Sequence, residues 1–196
     1  MNTTLKSNLT RKMAFLGLGL MFFIGAFAQV KYTSKNNLSL VVSGTSTLHD
    51  WDMKSADGSF EATFTMSPAG AITAISGISF TTNPTALKSG KGAMDKNAYK
   101  ALKTAVASFQ AASGSVSAVD ATSVQVKAKG KLTIAGSTQD AEVVATCKVN
   151  ADKSITVTGS KKISMKEFGM EPPSFMMGTI KTGNDVTLKF DLKLSH

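Results

Sequence analysis

Apolar and polar side chains alternate with a period of two along most of this chain, and that rhythm restricts it to β-structure. Near the C-terminus Val186, Leu188, Phe190, Leu192 and Leu194 point one way, and Thr187, Lys189, Asp191 and Lys193 the other. Phe60, Ala62, Phe64 and Met66 alternate with Ser59, Glu61, Thr63 and Thr65. Leu38, Leu40 and Val42 repeat the pattern, as do Val124, Val126 and Ala128 against Gln125, Lys127 and Lys129. Val143, Ala145, Cys147 and Val149 follow it with Val144 as the exception, and residues 72–82 and 154–164 carry it more weakly.

Turn-forming residues separate these runs. Ala56-Asp57-Gly58, Ser67-Pro68-Ala69-Gly70, Asn150-Ala151-Asp152-Lys153 and Thr182-Gly183-Asn184-Asp185 all favour tight reversals. Short strands joined this way predict an antiparallel sheet with one dry face and one wet face. About eight strands fit a closed barrel or a sandwich. One segment differs. Asp95 can cap a helix from Lys96 to about Ala107, with Tyr99, Leu102 and Val106 as its apolar stripe. Residues 82–94, rich in Gly, Lys and Ser, read as the loop leading into it.

The N-terminus reads as an export signal. Lys6, Arg11 and Lys12 precede an apolar run from Met13 to Phe27, which ends in Ala26-Phe27-Ala28 before Gln29. That run is about 15 residues, short of the roughly 20 that span a bilayer. Cleavage after Ala28 leaves one domain, Gln29–His196, which carries 19 lysines, no arginine and 13 acidic residues. The expected location is the periplasm or the exterior. Sequence-specific nucleic-acid readers rely on arginine forks, so dispersed lysines argue for a solvated surface and against nucleic acid. Cys147, the single cysteine, excludes an intramolecular disulfide and reads as a small core residue.

Alternation alone does not say whether the apolar faces meet a core or lipid. Outer-membrane barrels carry aromatic girdles, yet this chain has one Trp and two Tyr. A narrow barrel of that kind would also bury its lysines unpaired. The apolar faces are therefore expected to point inward.

An eight-stranded barrel either fills with its own side chains or holds one small ligand. A wall of Phe, Met, Leu and Val with few polar groups suits a long hydrocarbon, at about 0.8 kcal/mol per buried CH₂. On large side chains and apolar faces, the expected cavity residues are Phe60, Phe64, Phe80, Tyr99, Leu102, Phe109, Val126, Phe168 and Phe190. The bland alternative is a structural or interaction module with a filled core. His49, between Leu48 and the pair Asp50 and Asp52, is the one internal histidine and the only candidate acid–base group. It has too few neighbouring ligands for a metal, and no G-x-S-x-G nucleophile motif occurs. No catalytic residue, metal or cofactor is expected. Phe175-Met176-Met177 reads as an apolar loop able to touch a membrane transiently. The oligomeric state stays open, a homodimer included.

Four segments carry a resemblance. They are Gly44-Thr45-Ser46-Thr47-Leu48-His49-Asp50-Trp51, then Met94 to Lys103, then Gly130-Lys131-Leu132-Thr133-Ile134-Ala135-Gly136-Ser137-Thr138-Gln139, and last Lys166-Glu167-Phe168-Gly169-Met170. In this order and on a chain of this length they resemble the YceI-like family, exported proteins known for binding polyisoprenoid lipids. The resemblance implies a lipocalin-like antiparallel barrel with a helix over one side and an isoprenoid chain, as in quinones or prenyl carriers, in its cavity. Met165 and Ala135 stand where that family often carries basic residues.

Overall fold

The first long strand of the chain bends at a corner and pairs with both ends of the sheet, and this closes the molecule. In the computed structural model, which describes residues 27–196, β1 (Ala28–Lys35) and β2 (Leu38–Ser46) form one long strand bent at Asn36, whose φ is 53°. β1 pairs with β4 (Ser59–Met66), and β2 pairs with β11 (Ile180–Leu194), the opposite side of the sheet. Between them run β5 (Ile72–Thr82), β6 (Ala107–Ala118), β7 (Ser123–Ile134), β8 (Ser137–Val149) and β9 (Ile155–Ser164), all antiparallel neighbours. Thr33 and Ser195 bridge β1 to the end of β11 through two backbone hydrogen bonds of 2.8 and 2.9 Å. With β1 and β2 taken as one bent strand, the wall is the expected eight-stranded lipocalin-like barrel. β3 (Trp51–Ser55) is added beside β2, and β10 (Ser174–Phe175) beside β11. The leader lies outside the described residues except for Phe27 and Ala28.

The apolar faces turn inward, as the composition argument required. Val186, Leu192 and Leu194 are buried, and Lys189 and Lys193 are exposed. Phe64, Ile155 and Leu194 are fully excluded from solvent and close one end. Tyr32 packs edge-on against Phe64, at 5.4 Å between ring centroids. Such a pair contributes about 0.5–1.5 kcal/mol beyond burial. The Tyr32 hydroxyl donates to the Lys153 carbonyl at 3.1 Å, so this end holds no unsatisfied phenol.

Several local expectations are corrected. The turn at 56–58 does not close a hairpin, because β3 and β4 do not pair; it carries the chain from one edge to the other. Residues 182–185 lie inside β11 as an irregularity in its pairing with β2. Their Asn184 instead braces the chain after β9, taking the Met165 and Lys166 amides on its carbonyl and Oδ1 at 2.9 and 3.0 Å. The helix, α1, is Gly92–Ala101, earlier and shorter than the spacing predicted. Asp95 lies in its first turn and not at its N-cap. Lys103 and Thr104 take positive φ and end it, so Val106 is more than half exposed and outside any helical stripe.

One seam remains in the wall. β8 and β9 pair only from Val149↔Ile155 to Val144↔Ser160. Beyond that point β8 continues along β7 alone, and β9 along β11 alone. The turn Lys166–Phe168 covers the gap, with Phe168 buried and the Gln139 amide donating to the Glu167 carbonyl at 2.9 Å.

Candidate functional site

The barrel's open end contains a cavity of about 470 Å³, within the range that encloses a small organic ligand. Its walls are Leu40 and Val42 from β2, Trp51 and Met53 from β3, Leu132 and Ile134 from β7, and Val186 and Leu188 from β11. Inward alternation supplies these side chains strand by strand. Met94, Ala98 and Ala101 of α1, with Leu102 just after it, form a further side of it. Small residues on that helix face leave space where larger ones would fill it. Polar side chains are few in the lining, Ser46, His49, Lys91 and Asn97 among them.

A second chamber of about 120 Å³ lies deeper, and Leu40, Phe80, Leu132 and Leu188 line both. Phe80, Leu188 and Phe190 point into the interior and are nonetheless only half-buried, because the chain's own side chains do not fill the space before them. Cys147 lines the deeper chamber, and burial pushes its thiol up to about 12.

The structure separates the expected cavity residues into four groups. Phe60, Phe64, Phe109, Val126 and Phe190 line the inner chamber, and Phe80 lines both. Leu102 lines the outer one. Tyr99 and Phe168 line neither. The Tyr99 hydroxyl donates to the Leu87 carbonyl and accepts from Lys88 Nζ, both at 2.7 Å. It thus ties α1 to the loop before it, and its bond raises the Lys88 pKa. Phe168 plugs the seam from the side. Sequence reasoning missed Trp51, Met53 and Lys161. A signal for each exists in strand phase, since Trp51 and Met53 alternate, and Lys161 falls on the same phase as Ile155, Val157 and Ile163.

The rim is built from two loops that hold each other. Ser46 Oγ donates to the His49 carbonyl at 2.7 Å and accepts from the His49 amide at 3.1 Å, folding residues 46–49 into a tight turn. The Thr47 amide donates to the Lys181 carbonyl at 3.0 Å, and Thr47 Oγ1 donates to the Thr179 carbonyl at 3.3 Å. Leu48, Met176 and Met177 are left as large exposed apolar side chains on these loops. His49 Nδ1 sits 2.6 Å from the Asp50 carbonyl oxygen, and Asp52 pairs with Lys54 at 3.3 Å. No carboxylate side chain contacts the imidazole among the described residues, so a His–Asp acid–base pair is not assembled. Nor do the described residues contain a group of three or more His, Cys, Asp or Glu placed to hold a metal ion.

A bent strand closing an antiparallel barrel around an apolar cavity, with a helix over one side, defines the lipocalin-like class. The YceI-like domain model matches residues 32–194, and the chain belongs to the YceI-like family. No curated protein matches it. Among solved structures, BcnA from Burkholderia cenocepacia has the same fold, with a TM-score of 0.58, 15% identity, and coverage of 81% of this chain and 96% of that one. A polyisoprenoid binding domain from Saccharophagus degradans, implicated in plant cell wall breakdown, gives a TM-score of 0.60 at 12% identity, covering 86% of this chain and 99% of that one.

Proposed function

We propose that this protein is a non-enzymatic exported carrier that holds one polyisoprenoid chain, of a quinone or prenyl lipid, in its apolar cavity for transport or storage. The observation that carries the reading is the apolar interior, in which an outer chamber of about 470 Å³ adjoins a deeper one across the side chains of Leu40, Phe80, Leu132 and Leu188. That space speaks against the filled-core module. The domain from Saccharophagus degradans, described as polyisoprenoid binding, supports the choice of ligand. Each buried CH₂ adds about 0.8 kcal/mol without any directional contact, so a long chain can be held with few polar groups. No cofactor enters the proposal. The N-terminal segment read as an export signal supports a periplasmic or exterior location, and the apolar rim offers a surface for loading from a bilayer.

Trp51 offers a direct test. It is the only tryptophan, and its ring lines the outer chamber. A prenyl quinone with two isoprene units quenches tryptophan on contact and should quench Trp51 saturably. Leu188→Phe, at the junction of the chambers, should weaken that binding by about tenfold while the fold is kept, as a steric block in a cavity does. Unsaturable quenching, or quenching untouched by Leu188→Phe, contradicts the assignment.

A further inference from the structure

The segment that joins β5 to β6 at the open end differs from the barrel wall in its charges. Residues 83–106 carry Lys88, Lys91, Lys96, Lys100 and Lys103 against one acid, Asp95. Asp95 is buried and turned to Ser89, so every exposed charge of the segment is positive. The ion pairs among the described residues, from Lys31–Glu61 to Lys193–Asp152, all lie outside it. Lys88 Nζ is held by the Tyr99 hydroxyl. The other four lysines have no side-chain hydrogen bond or ion pair among the described residues. On α1, Met94, Ala98 and Ala101 share the face that lines the outer chamber, and Lys96 and Lys100 fall on the opposite face, exposed.

This basic side meets an apolar one. Lys91, Leu48 and Met176 all line the outer chamber and are all exposed, so they border the place where it meets solvent. Met177, beside Met176, is fully exposed. The other loops of this end, residues 47–50 and 165–179, hold Lys166 with Asp50, Glu167 and Glu171, so the positive charge is concentrated on the helical side. The loops of the far end, residues 67–71, 119–122 and 150–154, hold only Asp120, Asp152 and Lys153.

Exposed lysines beside exposed apolar side chains match a surface with negative headgroups above hydrocarbon. An acidic soluble protein would satisfy the lysines and leave Leu48 and Met177 in water. A neutral bilayer would do the reverse. We propose that the open end docks on an anionic bilayer, with Lys91, Lys96, Lys100 and Lys103 against the headgroups and Leu48 and Met177 entering the interface. The inference rests on the carrier reading for its purpose and names the surface from which the cavity loads. Docking itself needs no cargo, so vesicles free of prenyl lipid test it separately from that reading.

The purified protein is sedimented with vesicles of equal parts phosphatidylglycerol and phosphatidylcholine, or of phosphatidylcholine alone. Binding to the acidic vesicles should be saturable and about tenfold or more tighter than to the neutral ones at about 0.1 M salt. It should be lost near 1 M, where the Debye length falls from about 10 Å to about 3 Å. The triple change Lys91→Glu, Lys96→Glu and Lys100→Glu should weaken it about tenfold or more. Lys127→Glu, Lys148→Glu and Lys189→Glu, which alter net charge equally on the barrel wall, should keep it within about threefold. The corresponding Lys→Gln triples replace these should a Glu form melt early. A polarity-sensitive dye reports which end docks, since Cys147 is buried and an introduced thiol is labelled alone. Dye on Met177→Cys should shift to the blue on acidic vesicles, and dye on Val119→Cys, between β6 and β7 at the far end, should not. Equal loss in both charge triples, equal binding to both kinds of vesicle, or a shift at residue 119 alone overturns the inference. Absence of binding to acidic vesicles overturns it too and leaves these lysines as a solvated face. The carrier reading survives any of these results if the protein still takes up dispersed prenyl lipid.

Discussion

Ser89 gives both its amide and its hydroxyl to the Asp95 carboxylate, at 2.8 and 2.6 Å. These bonds hold the Asp95 carboxyl below its usual range, with the hydroxyl bond the larger influence. They also clamp the first turn of α1 to the loop before it. The backbone bridge between Lys54 and Lys88, two bonds of 2.8 Å, clamps that loop to β3. The helical side of the cavity is thus held at two points.

The clamp is sensitive to acid in a defined direction. A carboxylate whose folded pKa is depressed contributes its full stabilisation above the ordinary carboxylate range and loses it as pH falls through the folded value. Amide exchange in residues 88–102, corrected for intrinsic rates, should stay constant from pH 7 to pH 5 and rise only in stronger acid. Asp95→Asn should raise it about threefold or more at pH 7, as local opening becomes easier. Equal protection in the variant and the parent contradicts the clamp.

Cys147 should be nearly inert in the folded protein. With its thiol pushed up to about 12 by burial, the thiolate population at mildly alkaline pH lies about a thousandfold below that of an ordinary cysteine. A thiol reagent should label it on unfolding and not before. Prompt stoichiometric labelling of the native chain at pH 8 contradicts the buried placement.

Gly130 is required by its neighbours and not by its backbone angles. A Cβ there would collide with the Gln110 carbonyl oxygen and approach the Ala111 Cβ at 2.8 Å. Gly130→Ala should therefore destabilise by about 1–3 kcal/mol, the range of overpacking. Chemical denaturation measures it, and an unchanged midpoint contradicts the close approach of β6 and β7.

The rim prediction concerns loading. Met176 and Met177 hold positive φ, of 50° and 52°, on an exposed loop. Met177 is fully exposed and outside the cavity lining, so Met177→Ser should slow the transfer of a prenyl quinone from vesicles several-fold while binding of the detergent-dispersed lipid stays constant, since only surface contact is lost. Equal loss of both would place Met177 in the binding wall instead.

The strands that were legible in the sequence are those with strong contrast between faces. Val186–Leu194 sets apolar residues against Lys and Asp, and every apolar member points into the barrel. β6 escaped because Ala107–Ala118 is mostly Ala, Ser and Gly, which leave no contrast for a period to act on. Its strand state comes from its neighbours β5 and β7. The helix start was misplaced because an aspartate at a helix beginning reads equally well as a cap or as a first-turn acid. At the site, side-chain size pointed to Phe80 and Phe190 but equally to Tyr99 and Phe168. Size reports burial and not which wall a residue joins. Lys161 ran opposite, since charge suggests an outward position and only the phase of β9 brings its stem to the inner chamber.

Extraction of the purified protein tests the central claim most directly. The protein is purified from its own cells without detergent, extracted with organic solvent, and the extract weighed by mass spectrometry against protein concentration. The account predicts one prenyl lipid per chain, and less in Leu188→Phe. Extracts that are empty from both forms, with no uptake of added prenyl lipid, would contradict it.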